Sequence, residues 1–196
     1  MLQAVDEQAA IEQLHAMGCT DGLPVIVPTD ARVARMVLAS GQDADMVLGE
    51  MGPLMGLATV QKVAVAAVMA GCLPDYMPLV MAAVRAVLEP AFDLTEMQAT
   101  THCTAPLIIV NGPARDSCGP VASGFGALGP GHRANASIGR ALRLCMLNIG
   151  GARQAHPTWP CSVIPASLRI VWRKMRRPRR FRRCTYRAVL PRPTVW

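Results

Sequence analysis

Three clusters in the chain hold side chains that can do chemistry. The first is Gly129-Pro130-Gly131-His132-Arg133-Ala134-Asn135, a flexible turn that opens a helix. Backbone N–H groups at a helix start have no carbonyl partner of their own and attract anions. Arg133, Ser137 and Arg140 are spaced to share one face of that helix, and Ile138, Ala141, Leu142 and Cys145 share another. Guanidinium groups beside a glycine turn suit a carboxylate or phosphate on a small ligand. Arg133 and Arg140 are therefore candidate anion ligands, and the backbone of Gly131, His132 and Arg133 is a candidate cradle. The same spacing also describes a solvated basic face on an ordinary amphipathic helix. The turn contains neither G-x-G-x-x-G nor G-K-[ST], so it is no nucleotide fingerprint.

The second cluster is Thr100-Thr101-His102, just ahead of the apolar run Pro106 to Val110. Two hydroxyls and an imidazole at a strand entrance can hydrogen-bond a ligand or move a proton. His102 is the candidate acid or base, with Thr100, Thr101 and Asn111 orienting the ligand. A capped turn with a satisfied histidine is the plainer reading. Cys103 next door is a possible nucleophile, but nothing around it signals a lowered pKa. The third cluster is Thr20-Asp21-Gly22-Leu23-Pro24. Asp before Gly most often caps a turn; Asp21 is also a second candidate for proton transfer at a strand mouth.

The elements that must position these residues are helices joined by short extended segments. Asp6 to Met17 has helical apolar spacing and stops at Gly18. Leu23 to Val27 reads as a short strand between prolines. Thr29 is an N-cap for a helix from Asp30 to about Ala39, ended by Ser40-Gly41. Asp45 to Glu50 is a possible strand and Met51 to Gly56 a loop. Helices are expected over Ala58 to Ala70 and Pro78 to Leu88, apolar on most faces, which implies deep burial or a subunit interface. Pro106 to Val110 is the best buried-strand candidate. A glycine-rich stretch from Gly119 to Gly131 leads into a last helix, Arg133 to Asn148, closed by Gly150-Gly151. The pattern predicts an α/β (or α+β) single domain over residues 1–153, with few short strands, several apolar helices and an open strand order.

Residues 154–196 differ from that body. They carry 11 of the chain's 20 Lys and Arg and no Asp or Glu, which leaves 9 cations against 13 anions in residues 1–153. The overall charge of +7 thus belongs to the tail. One reading is an arginine-rich arm, Arg173 to Arg183, that would neutralise nucleic-acid phosphates without sequence preference. The other is a frameshift. Read one base out of frame, Cys161 to Ser167 becomes V-F-G-H-P-G-K and Arg169 to Arg179 becomes Y-C-x-A-E-N-E-E-A-S-P. The run A-E-N-E-E-A is pinned by the codons of Trp172, Arg173, Lys174 and Met175. The shifted text mixes charges and apolar residues as folded proteins do, and the break falls near Arg153 and Gln154. This second reading is favoured, and with it a tail that is not natively packed.

The remaining composition restricts the class. The seven cysteines (19, 72, 103, 118, 145, 161 and 184) form no C-x-x-C pair and no zinc spacing, so no metal site is expected and no cofactor is indicated. Cys72 and Cys145 lie in apolar helical text and read as small buried hydrophobes. The start MLQAVDEQ has no signal-peptide character, and the longest apolar stretch, Val63 to Leu73, is about half of what spans a bilayer. No membrane partner and a cytoplasmic location are expected.

Several of these segments resemble one bacterial family. They are Asp21-Gly22-Leu23-Pro24-Val25, Ala67 to Cys72, Gln98 to His102, Ile109 to Pro113 and Gly129 through Ala141. The group is that of the UGSC-associated (seleno)proteins, often labelled thioredoxin-like, and the likeness runs from about Gly18 to Arg153. Members continue with G-x-P-G-K, A-E-N-E-E-x-S-P and L-H-V, strings that this chain holds only in the shifted frame. It also lacks a U/C-G-S-C motif, so the redox label does not carry over. The expectation is an enzyme-like domain that binds a small anionic metabolite, with activity lost if its native end is missing. The alternatives are a nucleic-acid-binding protein, if the tail is genuine, and a structural or homo-oligomeric subunit that pairs through helices 58–88.

Overall fold

A computed structural model describes residues 4–99, 105–119, 121–124, 127, 129–152 and 171–173. The chain begins with α1 (Glu7–Ala16), whose first turn is capped by the Asp6 carboxylate, which accepts from the Ala9 N–H at 2.7 Å. Next is α2 (Asp30–Ser40). Thr29 caps its start, and Gly41, in a left-handed conformation that glycine adopts without strain, ends it. The strands β1 (Val47–Met51) and β2 (Gly56–Thr59) form an antiparallel hairpin. Thr59 then caps α3 (Val60–Met69) by accepting from the Lys62 N–H. A 3-10 turn over Pro74–Tyr76 leads into α4 (Met77–Leu88).

The second half holds two short helices, α5 (Leu94–Gln98) and α6 (Ala114–Ser117), with β3 (Ile108–Val110) between them. The longest helix, α7 (Arg133–Asn148), follows, and β4 (Val171–Arg173) pairs parallel to β3. The fold is a mixed domain of helices with small sheets, as the alternation of patterns in the sequence predicts.

Its core lies where α3, α4 and α7 meet, with α2 packed against α3 and α4. Alanines 64, 66 and 67 on α3 and Ala141 on α7 are small enough to bring helix backbones close. Val63, Val80, Val84, Ile138 and Leu144 fill the space between them and are fully enclosed. Methionines 36, 51 and 77 complete a core with almost no aromatic side chain. Burial of α3 and α4 is thus supplied within the chain. The hairpin turn docks on the end of α7: the Leu54 N–H donates to the Gly150 carbonyl at 2.9 Å. A side chain at Gly150 would collide with the carbonyls of Gly52 and Met146.

Three expectations about the elements need correction. Leu23 to Val27 is no strand: it is irregular, and among the described residues its one backbone–backbone tie to another element is the Ile26 N–H, which donates to the Met69 carbonyl. Pro24 and Pro28 remove two donors that a ladder needs. The helix expected from Ala58 starts two residues later, because Gly56 to Thr59 pair as β2 before Thr59 caps the turn. The run Pro106 to Val110 forms only a three-residue strand and is half exposed: Ile109 is 52 % exposed against 4 % for Val110. The short helices α5 and α6 carry too few residues for a periodic signal. In the arginine-rich end, the backbone of residues 171–173 forms β4; residues 153–170 and 174–196, with the rest of that reading, lie outside the described residues.

Among the described residues, no helix is long and apolar enough to cross a membrane. No group of three or more His, Cys, Asp or Glu among them is placed to hold a metal ion.

Candidate anion-binding cavity

The first turn of α7 is shaped by its approach. Gly131 has φ +98, a region that L side chains rarely adopt, and open space surrounds its Cα. His132 occupies the N-cap position with extended backbone, and its side chain makes no capping bond. The glycine-rich segment before it is tied down by Asn135. This buried amide accepts from the Ala122 N–H at 2.8 Å and donates to the carbonyls of Ala122 and Ala127, both at 3.2 Å. A side-chain amide that imitates a ladder partner in this way holds an irregular loop against a helix.

Arg133, Ser137 and Arg140 lie together, as their spacing requires. With Leu23, Ile26, Met69, Ala70, Gly71 and Ala136 they line a cavity of about 410 Å³ between α7, the end of α3 and the irregular segment after α1. Most of this wall is apolar. The Arg133 guanidinium donates from Nε and Nη2 to one acceptor, the Gly71 carbonyl, at 3.0 and 2.9 Å. Gly71, at φ +84, ends the α3 turn and turns that carbonyl outward. Ser137 is occupied locally, its hydroxyl donating to the Arg133 carbonyl at 2.7 Å.

Arg140 is bound differently. Its Nε and Nη2 form a fork on Asp21, each bond 2.8 Å, and Nη2 also donates to the carbonyls of Leu23 and Pro24. The pair is well enclosed, with side chains 16 % and 5 % exposed for Arg140 and Asp21. Burial alone would raise the Asp21 pKa. The hydrogen bonds and charge of Arg140, with the Leu23 N–H, outweigh it and hold the carboxyl below its ordinary value. Asp21 also makes the turn that Asp before Gly suggests, by accepting from the Leu23 N–H at 3.3 Å. With both carboxylate oxygens bonded to Arg140, Asp21 ties the 21–24 segment to α7.

The two arginines therefore leave unequal charge at the cavity. Arg140 is matched by Asp21. Among the described residues, the Arg133 side chain hydrogen-bonds only to a neutral carbonyl, and no carboxylate lies within ion-pair reach of it. Behind the wall sit two thiols. Burial pushes the Cys72 thiol up to about 12, against a smaller lowering by the Ser137 hydrogen bond and the Arg133 charge. Complete burial raises Cys145 further, with Cys72 adding to the shift. Both remain protonated, and neither resembles an activated nucleophile.

The other sequence candidates fall elsewhere. Gly131 and His132 open α7 but are not part of the cavity wall. Asn111 is exposed just past β3 and is not one of the wall residues. Thr100, Thr101, His102 and Cys103 lie outside the described residues. Two polar residues missed from sequence are buried near the far end of α7. Arg143 donates to Gln98 Oε1 at 3.2 Å and to the Ala152 carbonyl at 3.3 Å, and Gln98 donates to the Gly52 carbonyl at 3.1 Å. Arg143 had a signal, since it shares a helix face with the apolar Met146 and Leu147. Gln98 had none. Comparison of the chain with protein-family models, with curated proteins and with solved structures finds no match.

Proposed function

We propose that this chain is a binding domain for a small acid that carries one negative charge on an apolar body. The observation that carries this reading is an unmatched cation on a largely apolar wall: Arg133 lines a cavity of about 410 Å³, and no carboxylate among the described residues pairs with it. Two of its guanidinium nitrogens are fixed by the Gly71 carbonyl, so the group is held in place before any ligand arrives. Its Nη1 is left for a charge-assisted hydrogen bond. The N-terminus of α7 adds a partial positive charge at the same end. Leu23, Ile26 and Met69 would cover an aliphatic or aromatic body. Binding needs none of the acid–base groups of the Thr100-Thr101-His102 cluster; chemistry on the bound acid, if this is an enzyme, would fall to them. Membership of the UGSC-associated group stands beside this reading as a second proposal, supported by the ordered segments from Asp21 to Ala141.

Calorimetry with hexanoate at neutral pH tests the reading. The wild-type chain should bind it and gain thermal stability, and Arg133→Gln should weaken that binding about tenfold or more, the worth of one hydrogen bond to a charge. Equal affinity in the two proteins would remove Arg133 from the site and the reading with it.

A further inference from the structure

The cavity has two guanidinium groups but room for only one external charge. Arg133 and Arg140 stand seven residues apart on one face of α7, which places them two turns, or about 10 Å, apart along the helix axis. Both line the same space. A cavity with two cations on opposite ends of an apolar wall is the ordinary arrangement for a dicarboxylic acid. Here the second cation already holds a carboxylate from the chain itself. We infer that Asp21 is a built-in anion that occupies Arg140 and so restricts the cavity to monocarboxylic acids, a specificity role that rests on the binding reading above.

The geometry supports substitution of one carboxylate by another. Asp21 meets Arg140 through the two-bond fork that a free carboxylate would use. Arg140 does not depend on Asp21 alone for its position, because the carbonyls of Leu23 and Pro24 also hold it. Removal of the Asp21 charge would leave the guanidinium in place with its charge unmatched. A diacid entering the wild-type cavity would instead bring its second charge beside an ion pair that is already neutral, and would lose that charge's hydration without a partner. The same fork binds the 21–24 segment to α7, and Leu23 of that segment is part of the cavity wall. Charge selection and wall position therefore depend on one contact.

The test compares two probes of equal carbon number, hexanoate and adipate, on wild type, Asp21→Asn and Asp21→Ala. Asparagine keeps the size and hydrogen-bonding capacity of the residue, so the fold has the best chance of surviving; circular dichroism and the thermal midpoint check it. Wild type should prefer hexanoate. In Asp21→Asn, the affinity for adipate relative to hexanoate should rise about tenfold or more. The gain should vanish in the double variant with Arg140→Gln. If wild type binds hexanoate and Asp21→Asn gains nothing for adipate, the specificity role is overturned and the cavity reading survives. Wild type that binds adipate as tightly as hexanoate overturns the role without any variant. Wild type that binds neither acid sinks the cavity reading, and this inference falls with it.

Discussion

The two halves of α7 treat polar groups in opposite ways. Residues 141–148 run through the core, where Ala141, Leu144 and Cys145 are fully enclosed; Arg143 is turned into a bonded interior network with Gln98 and the Ala152 carbonyl. Residues 133–140 border the cavity with one face, and there Arg133 is exposed while Asn135, Ser137 and Arg140 are enclosed, each held by hydrogen bonds. Arg133 rests on one carbonyl, Arg140 on Asp21 and two carbonyls, and Asn135 on the glycine-rich loop. One half of the helix builds the domain. The other half adds Ala134 and Ile138 to that core and presents the two arginines of the cavity on its other face.

That contrast predicts how each half responds to mutation. The largest loss is expected from Leu144→Ala in the core half, about 2–5 kcal/mol for a deleted side chain with little room for collapse. Urea unfolding measures it, and hexanoate affinity at a temperature where the variant is folded should be unchanged. A binding loss as large as that of Arg133→Gln would erase the distinction between the halves.

Next in size is Arg140→Ala, at about 3 kcal/mol, because it leaves Asp21 buried without its partner. Its signature is in the pH dependence. The Asp21 pKa is lowered in the fold, so its stabilisation is fully present above the ordinary carboxyl value of 3.8 and is lost as pH falls through the lower folded value. Without Arg140, desolvation is opposed only by the backbone hydrogen bonds of Leu23 and Asp21, so the Asp21 pKa should rise. The variant should then become relatively more stable on acidification, closing the gap to wild type below about pH 4. Thermal midpoints across this range check the sign, and a gap that is flat with pH would refute the role of the pair.

Asn135→Ala should cost about 2 kcal/mol, since it strands backbone groups of residues 122 and 127. Hydrogen exchange should quicken at Ala122 before it quickens in α3. The smallest stability effect belongs to Arg133→Gln, within about 0.5 kcal/mol, as for an ordinary surface change. A residue whose removal costs the fold almost nothing but costs the ligand tenfold is what the cavity half of the helix should contain.

Much of the helical scaffold was readable from residues. Thr29 and Gly41 bracket α2 as capping rules require, and α7 runs from Arg133 to Asn148 as its apolar spacing indicates. Short extended segments were not readable. Leu23 to Val27 and Pro106 to Val110 have the same apolar look, yet one is irregular and the other a three-residue strand, because pairing depends on neighbours distant in sequence. The site was legible in part. The common face of Arg133, Ser137 and Arg140 followed from helical periodicity, whereas the Asp21–Arg140 contact joins residues 119 positions apart and no local pattern could reveal it. Asn135 stood in plain view within the helix start. Its role depends on the loop path and was invisible without it.

The protonated thiols behind the cavity give the domain an internal clock. Cys72 and Cys145 are enclosed, while Cys19 is partly open to solvent. An alkylating reagent should therefore modify Cys19 promptly and reach Cys72 and Cys145 only through transient opening of the packed helices. The labelling rate of that slow pair reports how often the interior breathes, and a bound acid that tightens the wall should lengthen the interval between openings.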